Sequence, residues 1–466
     1  MPIPSSVQKV LDKWNVEFAL TEAAALPPAR LSNQGNNARS SAIVQVVFLQ
    51  DSQGTVQVVV PTDRLVDLNL IAHQLGRRFK AVSPENLERI KVKLGLDDFP
   101  ALPQLTNLDS LIDRSLLDRD DLFIQSGSGN HWLKIPKEQF RILTANSIVG
   151  RFSSPLQLNL LQQDFDQDLQ DIHQAVRQFT PLRIQQRLAE TLDLPPLPET
   201  ARKIIDLKID EYADTMALVE AIESDPSMSA QVISWARSSL YGSRPNINNV
   251  EDAVLRVMGF DLVMNLALGL ALGQTVAVPK EGPRGYQSFW LQAVVGASLA
   301  GKVAPLCKGK NKVDSGHAYL CGLLHNFGYL ILGHAFPPQF SLINRHVEAN
   351  PHVNRMYVER HLLGVSREQV AACLMKNWLM PDQLVIALKH QHNPIYSGEN
   401  SQYSQLLYVV TRSLRMQGFG DGPKEAIDPS VCEALKLDEQ LLEDTTVDLL
   451  DKLNELQGMA RMIEEA

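Results

Sequence analysis

Cysteine is scarce in this chain, and its distribution excludes whole classes of protein. Only four cysteines occur, none precedes Cys307, and no two are separated by two residues. A disulfide framework or a thiolate zinc site needs cysteines that are more numerous and more closely spaced. Any chemistry must therefore come from other side chains.

The chain also lacks the long apolar segments that target a protein to a membrane or anchor it there. Met1–Ser6 has no basic region followed by an apolar run, and the longest apolar stretch, Leu262–Leu272, is interrupted and too short to cross a bilayer. Neither a Gly-x-Ser-x-Gly turn nor a phosphate-binding P-loop occurs. We therefore expect a cytoplasmic protein that has no membrane partner and needs no cofactor.

Size and charge set further limits. A chain of 466 residues exceeds what one hydrophobic core serves, and its 44% apolar and 21% charged residues are ordinary for a globular protein. The formal net charge is −9, but residues 437–466 hold nine acidic and two basic residues. Most of the negative charge therefore belongs to the tail, and the body of the chain is nearly balanced.

Strand patterns are concentrated in the N-terminal part, residues 1–150. Two β-branched runs, 42–49 and 55–60, flank a polar turn that contains glycine, which predicts a hairpin. Residues 122–125 and 131–135 flank a second such turn. Helical patterns occur around Leu11, Leu65–Leu75 and Leu87–Leu94. The sequence therefore predicts a mixed α/β (α+β) domain.

The remainder of the chain is predicted to be helical. Residues 151–185 form a connecting helix, because apolar residues recur there at spacings of three or four: Leu161, Phe165, Leu169, Ile172, Val176 and Phe179. An all-α domain follows over residues 186–425, and residues 426–466 form an acidic helical extension. The extension has too few heptads for a sustained coiled coil, so we expect it to pack on its own domain, with a coiled coil as the alternative.

Several short motifs of the helical part occur in a characteristic order. They are Leu194–Thr200, Glu223–Pro226, Ser238–Gly242, Ala253–Phe260, Phe289-Trp290 and Gly322–His325. Over roughly residues 186–415 this order closely resembles the HDOD family, an all-helical relative of the HD phosphohydrolases. The resemblance implies an HD-like helical fold, a place in regulatory networks and protein partners, with a nucleotide as a second class of ligand.

The resemblance also places the metal ligands of HD enzymes on residues that bind metals poorly. The first ligand histidine falls on Gln292, the aspartate of the His-Asp pair on Asn326, and a further histidine of HD-GYP relatives on Arg367. The final aspartate falls near Thr411 or Arg412. The candidate binding residues of this remnant HD cleft are Gln292, His325, Asn326, Arg367, His390 and His392.

The side chains themselves argue against a catalytic metal. Asn326 has the shape of an aspartate but offers a neutral carbonyl and an NH2 group, whereas hard cations prefer carboxylates. His390 and His392 are two residues apart and would diverge by about 200° on a helix. We predict no metal site and no catalytic residue, and we expect His325 to make polar contacts with Asn326 and Gln292.

The N-terminal part carries a second set of ordered motifs. They are Val58–Pro61, Asp63–Leu68, Leu75–Glu85, Gly95 with Pro100, Ile112–Leu117 and Gly127-Ser128. Over approximately residues 5–145 these motifs resemble the YbaK-type aminoacyl-tRNA deacylases. In that family an essential lysine begins a core strand, but no lysine lies between Lys13 and Lys80, and the matching segment is Ser40–Ile43. The resemblance therefore implies a fold that has lost its turnover.

Part of the editing site survives in the sequence as candidate binding residues. A remnant deacylase loop, Gly95, Gly127 and Ser128, could cradle a carboxylate or ester oxygen through backbone N–H groups. A simple hairpin turn is the alternative for Gly127 and Ser128, and it is the one we favour. The basic residues between Arg77 and Lys93 fit an RNA backbone, but acidic residues interrupt them, which favours a solvated helix face.

The sequence leads to one functional hypothesis and two alternatives. Two former active sites have each lost key polar groups, which favours a non-catalytic bacterial protein of signal transduction that binds protein partners. The alternatives are a metal-dependent HD-type phosphohydrolase and an aminoacyl-tRNA deacylase, for which tRNA would be the partner. Of these partners, tRNA is the least favoured.

Overall fold

The chain folds into two compact units. In a computed structural model, the described residues are 3–22, 41–129, 131–156, 164–179, 199–209, 214–241, 247–273, 275–280 and 282–464. Unit 1 contains Met1–Leu160, Glu281–Gly285 and Ser341–Leu362, and unit 2 contains Leu161–Lys280, Tyr286–Phe340 and Leu363–Ala466. Because each unit draws on several segments of the chain, the continuous domain bounds read from the sequence stay a prediction.

Unit 1 is built on a mixed β-sheet. Its strands are β1 (Ala19–Glu22), β2 (Ser41–Gln50), β3 (Thr55–Pro61), β4 (Arg64–Val66), β5 (Lys80–Ala81), β6 (Asp109–Asp113), β7 (Asp121–Gln125), β8 (His131–Pro136), β9 (Ile148–Gly150) and β10 (Ser153–Pro155). The main sheet has the order β1-β8-β7-β2-β3-β6-β9, with β5 on β2, and β4 pairs with β10. The pairs β2–β7, β3–β6 and β6–β9 are parallel, and the other pairs are antiparallel.

Both faces of this sheet are buried, because alternate side chains of a strand point to opposite sides. On β2, Val44, Val46 and Phe48 join one core cluster, whereas Val47 and Leu49 join the other. The helices of the N-terminal part are α1 (Ser5–Lys13), α2 (Leu68–Leu75), α3 (Pro84–Leu94) and α4 (Lys137–Leu143). The alternation in the sequence of β2 therefore decides which residues reach each core.

Both predicted hairpins are confirmed. In the first, β2 and β3 pair with Val46 opposite Val59. The Asp51 carboxylate accepts the N–H groups of Gln53 and Gly54 at 2.9 and 3.1 Å, which closes the turn. In the second, β7 and β8 pair antiparallel. The β-branched runs and the turn residues between them were therefore sufficient to predict both hairpins from the sequence.

The chain beyond the sheet is helical, as predicted. The helices are α5 (Phe165–Phe179), α6 (Glu199–Ile209), α7 (Thr215–Glu223), α8 (Pro226–Arg237), α9 (Val250–Asp252), α10 (Phe260–Gly273), α11 (Phe289–Val303), α12 (Ser315–Leu324), α13 (Phe327–Ala335), α14 (Pro337–Glu348), α15 (Arg355–Leu363), α16 (Arg367–Asn377), α17 (Asp382–His390), α18 (Ser401–Met416), α19 (Pro429–Leu435), α20 (Glu439–Leu450) and α21 (Leu453–Glu464). Among the described residues, no strand follows Pro155. A short π-helix, Ala253–Met258, precedes α10.

Of the predicted connecting helix 151–185, Phe165–Phe179 form α5, whereas Ser153–Pro155 form β10 instead, and the buried face of α5 differs from the predicted one. Ile172 is buried, as predicted, whereas Leu169 is 38% exposed. Leu161, which was predicted on the same face, lies outside the described residues. Asp168 is buried at 1% exposure, because a lysine and a glutamine of unit 2 bind its carboxylate. The apolar spacing alone could not anticipate this polar anchor.

Helix α11 is a buried core helix of unit 2. The stretch Phe289–Leu306 is long and apolar enough to cross a membrane by length and composition, but 78% of it is buried inside the protein, as in a core helix. It approaches α12 closely, since a Cβ at Gly322 would lie 2.5 Å from the Gly296 oxygen. Position 322 in this crossing therefore requires a residue without a side chain.

The acidic extension packs on unit 2, as predicted. Its spaced apolar residues Leu449, Leu456, Ala460 and Ile463 are all buried. Helix α21 lies against α11 and α8, and α20 lies against α11 and α18. The apolar stripe thus faces the core of its own unit.

Candidate functional site

The predicted His-Asn pair lies at the junction between α12 and α13. His325 follows the last residue of α12, and Asn326 precedes the first residue of α13. His325 Nδ1 donates to the Gly322 carbonyl oxygen at 2.7 Å, and Gln391 Nε2 donates to the His325 carbonyl oxygen at 2.9 Å. The ring bond of His325 is thus made to the backbone, rather than to Asn326 or Gln292.

Asn326 lies between a guanidinium and a carboxylate. Arg367 Nη1 donates to Asn326 Oδ1 at 2.6 Å, and Asn326 Nδ2 donates to Asp421 Oδ2 at 3.0 Å. Arg367 Nη1 also reaches Asp421 Oδ2 at 3.4 Å. An amide can accept from an arginine and donate to a carboxylate at once, whereas an aspartate can only accept. The amide at position 326 therefore matches both of its neighbours.

Asp421 lies in the glycine-rich loop that follows α18. Its second oxygen, Oδ1, accepts from Arg415 Nη2 at 3.3 Å. Gly420 has φ +118, and a Cβ at Gly422 would lie 2.7 Å from Arg415 Cζ, so the loop passes close over this arginine. Gly420 N donates to Gln287 Oε1 at 3.1 Å. The loop thereby inserts a carboxylate beside the remnant HD cleft residues.

Arg367 gives this cluster a permanent positive charge. An arginine stays protonated in proteins, and Arg367 is only 3% exposed. Its guanidinium carbon also lies 5.1 Å from the centre of the Tyr329 ring, a cation–π contact. Gly328 permits the arrangement, because a Cβ there would lie 2.0 Å from the Arg367 carbonyl oxygen. A dication near Asn326 would be repelled by this charge.

A second buried carboxylate lies next to Arg367 in the sequence. Glu368 Oε1 lies 3.3 Å from His392 Nε2, and both residues are about nine-tenths or more buried. Burial alone would raise the pKa of Glu368, but the hydrogen bond from His392 and the positive charges nearby hold this pKa below its ordinary value. Burial lowers the pKa of His392. Glu368 therefore stays a carboxylate and accepts a hydrogen bond from His392.

Two predicted site residues take other roles. His390 stacks on Tyr396, with ring centroids 3.8 Å apart and an angle of 5° between the planes. Gln292 Nε2 donates to the Gln287 carbonyl oxygen at 2.8 Å, and Gln292 Oε1 has no hydrogen-bond partner among the described residues. His390 is the last residue of α17 and His392 lies beyond it, so the predicted divergence on one helix does not apply to this pair. The structure brings Asn326 and Arg367 together directly, but not Gln292 or His390 with them.

The carboxylates of this cluster were missed from the sequence. The alignment to HD enzymes placed the last ligand near Thr411 or Arg412, but Thr411 Oγ1 donates to a backbone carbonyl and Arg412 pairs with Glu425 at 2.9 Å. Asp421 follows several residues later. The one available signal was an acidic residue inside the run Gly418–Gly422, since glycines allow a loop to approach a buried site closely.

No group of three histidine, cysteine, aspartate or glutamate side chains is arranged to hold a metal ion in the described part of the chain. In the cluster around Asn326, both oxygens of Asp421 are bonded to arginines, and Glu368 is bonded to His392 through Oε1, while Glu368 Oε2 has no hydrogen-bond partner among the described residues. The donor set therefore fits an internal ion-pair network better than a hard dication, which needs several carboxylate oxygens turned toward one point.

Burial of His325 predicts a loss of stability in mild acid. Burial, together with the charges of Arg415, His392 and Arg367, lowers the pKa of His325 to about 4 from the ordinary 6.5. The unfolded chain therefore binds a proton that the folded chain does not, as pH falls from about 6.5 towards 4. We expect this residue to remove about 2–3 kcal/mol of stability over that window, and none above it.

Urea unfolding of the wild type and of His325→Asn at several pH values measures this effect. The asparagine NH2 can still donate to Gly322 O, but it does not titrate. The stability difference between the two proteins should therefore shift in favour of His325→Asn as pH falls below about 6.5. Parallel pH profiles for the two proteins would contradict a neutral buried His325.

The remnant deacylase loop of unit 1 uses its own N–H groups internally. Gly127 N donates to Gln125 Oε1 at 3.1 Å, and Gly129 N donates to Asp97 Oδ2 at 3.1 Å. Ser128 N lies 3.4 Å from Ser126 Oγ. With these donors occupied, the loop has the hydrogen bonding of a turn rather than of an oxyanion cradle.

The loop glycines have structural roles. Gly127 has φ +92, and a Cβ there would lie 2.9 Å from Leu96 Cδ2 and 3.2 Å from Pro100 Cγ. Gly95 has φ +67 and ends α3, where its N–H donates to the Lys91 and Val92 carbonyl oxygens. These requirements account for both glycines without a ligand.

Two further predictions for unit 1 concern the position of the deacylase lysine and the basic stretch between Arg77 and Lys93. The position of the family's lysine falls on Ser40–Ile43, of which Ser40 lies outside the described residues and Ser41–Ile43 begin β2. In the basic stretch, Arg77 forms a two-pronged bond with Asp51 at 2.6 and 2.7 Å. Lys91 lies 3.5 Å from Asp98. Such pairing fits a solvated surface better than a dedicated phosphate track.

Comparison with known proteins supports both sequence resemblances. Residues 194–394 match the HDOD domain family, and residues 29–143 match the aminoacyl-tRNA editing domain family. A crystal structure from Marinobacter aquaeolei VT8, of a protein provisionally described as a signal transduction protein, is 37% identical to this chain. It covers 99% of this chain and 99% of its own, with a TM-score of 0.87.

More distant relatives match over parts of the chain. A structure from Shewanella amazonensis SB2B, provisionally described as a phosphohydrolase, is 20% identical, covers 61% of this chain and 99% of its own, and has a TM-score of 0.47. An uncharacterised protein of Treponema pallidum (strain Nichols) is 21% identical over 270 residues, which is 58% of this chain and about half, 51%, of that relative. The chain belongs to the HDOD family and carries an N-terminal aminoacyl-tRNA editing (YbaK-like) domain, as the sequence predicted.

Proposed function

We propose that this protein is a non-catalytic regulatory protein of signal transduction, which acts by binding protein partners. The observation that carries the proposal is the position of Arg367, whose guanidinium bonds Asn326 and lies beside Asp421. A fixed positive charge there opposes the dication that would turn water into a nucleophile. Without such a nucleophile the cleft has no route to phosphoester hydrolysis.

Further support comes from the chain's relatives and from its second domain. The relative from Marinobacter aquaeolei VT8, similar over 99% of this chain, is described in terms of signal transduction rather than of a reaction. In unit 1, the N–H groups of Gly127 and Gly129 are bonded internally. This arrangement does not favour discharge of mischarged tRNA, so tRNA remains the weaker partner. Regulation by recognition is consistent with both sites.

An assay of phosphodiester hydrolysis tests the proposal. The full chain is incubated with bis(p-nitrophenyl) phosphate and Mn²⁺ or Mg²⁺, alongside His325→Ala and the control His334→Ala, whose side chain is exposed. We expect the same background rate from all three proteins. A metal-dependent rate that His325→Ala abolishes and His334→Ala retains would identify a phosphohydrolase and overturn the proposal.

A further inference from the structure

Unit 2 contains a pocket that the remnant HD cleft does not explain. Its volume is about 420 Å³, and it lies where the first turns of α10 and α12 meet the C-terminal half of α11. None of the six predicted cleft residues is among those that line it. Pockets of roughly 300–1,000 Å³ are the size that small ligands occupy.

Two of the sequence motifs that carry the HDOD resemblance meet at this pocket. Ser238–Gly242 contributes Leu240 and Tyr241, and Ala253–Phe260 contributes its last three residues, Met258–Phe260. The remnant cleft uses neither motif. The second motif contains the short π-helix Ala253–Met258, a rare kind of helix that is often found at functional sites. Both motifs therefore line the same pocket, and the proposed function gives neither of them a role.

The inner end of the pocket carries hydroxyl groups. Ser298 is 4% exposed, and its Oγ has no hydrogen-bond partner among the described residues. A serine inside a helix ordinarily donates to the carbonyl one turn earlier, so an unpaired hydroxyl that lines a pocket points to a missing acceptor or donor. Tyr241 and Tyr319 also line the pocket, and burial raises the pKa of Tyr241 to about 12. Tyr241 therefore stays neutral, and the hydroxyl of Tyr319 lies next to its own.

The rim offers positive charge. Lys302 is exposed, and no ion pair joins it to a carboxylate in the described part of the chain. The first N–H groups of a helix lack partners within that helix and favour anions, and α10 begins at this rim. The N-terminus of α12 is already occupied by a carboxylate, because Asp314 caps this helix and its Oδ1 accepts from His317 N at 2.8 Å. An anionic group is therefore best placed beside Lys302.

We propose that this pocket binds a nucleoside monophosphate. The neutral, flat base would lie against the hydroxyl groups of Ser298 and the two tyrosines, between apolar walls that include Phe260. The phosphate would lie at Lys302 and the N-terminus of α10, and the exposed Asp261 offers an acceptor for the ribose hydroxyls. The proposal goes beyond the proposed function, since a nucleotide here neither requires nor replaces a protein partner.

Isothermal titration of the full chain tests the site. The probes are AMP, GMP, CMP and UMP, the four matching nucleosides, and inorganic phosphate. We expect at least one monophosphate to bind, its nucleoside to bind more weakly, and phosphate alone not to bind at millimolar concentration. Ser298→Ala should weaken the bound nucleotide about fivefold, the effect of one hydrogen bond. Lys302→Gln should weaken it by a similar factor, whereas Lys310→Gln, in an exposed loop, should not.

A filling variant gives a second readout. At Gly301 a Cβ would meet its first neighbour, Tyr319 Cδ2, at 3.4 Å, an ordinary contact, so a larger side chain can extend into the pocket. Gly301→Leu should abolish nucleotide binding while the ligand-free thermal transition stays cooperative. If this variant does not fold, Ser298→Ala and Lys302→Gln decide the question. The proposal is overturned if no monophosphate binds, or if binding survives the pocket variants but is lost in His325→Asn, which would place the ligand in the remnant cleft.

Discussion

Replacement of Arg367 by alanine is expected to lower the free energy of unfolding by about 3–5 kcal/mol, because it removes one of the two arginines that balance the buried Asp421 carboxylate. Asp421 is 6% exposed and Arg367 is 3% exposed, so water cannot restore the lost solvation. Asn326 also loses the donor that lies 2.6 Å from its oxygen. Urea unfolding of the full chain at neutral pH measures the change.

The control is an arginine of the same unit that is paired at the surface. Arg256 lies 3.1 Å from Asp252, but its side chain is 48% exposed. Arg256→Ala should therefore cost less than about 1 kcal/mol. In a double-mutant cycle, Arg367→Ala and Asp421→Ala together should destabilise less than the sum of the two single variants. Equal effects of Arg367→Ala and Arg256→Ala would show that the cluster around Asn326 has no special role.

Replacement of Asp168 by alanine should have a comparable effect, about 3–5 kcal/mol, because it leaves the buried ammonium of Lys389 unpaired. The side chains of Asp168 and Lys389 are 1% and 7% exposed. Gln369 Nε2 also donates to Asp168 Oδ1, at 2.5 Å. Lys389 Nζ lies 4.1 Å from the centre of the Phe165 ring, so α5 contacts it from two sides. Thermal unfolding with matched urea titrations measures the loss.

A neighbour in the same helix provides the matched variant. Asp166 is exposed in the first turn of α5, and Asp166→Ala should cost less than about 1 kcal/mol. Adding Lys389→Met to Asp168→Ala removes both charges and should recover part of the loss, about 1–3 kcal/mol. If Asp168→Ala is no more harmful than Asp166→Ala, then α5 is a connecting helix without a buried polar anchor.

Local patterns in the sequence were sufficient for much of the fold. Alternation along 42–49 and 55–60, with a turn closed by Asp51, defines the first hairpin through neighbours in the chain. The N-cap and proline pair Asp225-Pro226 begins α8, where the Asp225 carboxylate accepts the N–H groups of Ser227 and Met228. Such features depend on residues only a few positions apart. They are therefore visible without knowledge of the tertiary structure.

The site was less predictable because its partners are distant in the chain. The sequence identified Asn326 and Arg367, but Asp421 meets them from a loop that follows a different helix. The pairing of Asp168 with Lys389 joins residues that are 221 positions apart. The aligned position near Thr411 gave no hint of either carboxylate. Long-range polar pairs of this kind depend on how the helices pack, which periodicity does not specify.

The side chains of Asn326, Arg367 and Asp421 bind one another, which leaves no place for a dication among them. The most direct test is manganese titration of the full chain at neutral pH, followed by electron paramagnetic resonance of free Mn²⁺ and by metal analysis of protein purified without chelators. We expect nearly all added Mn²⁺ to stay free, and magnesium, manganese and iron to fall far below one equivalent per chain. One equivalent of tightly bound metal that is lost in His325→Ala would contradict this expectation.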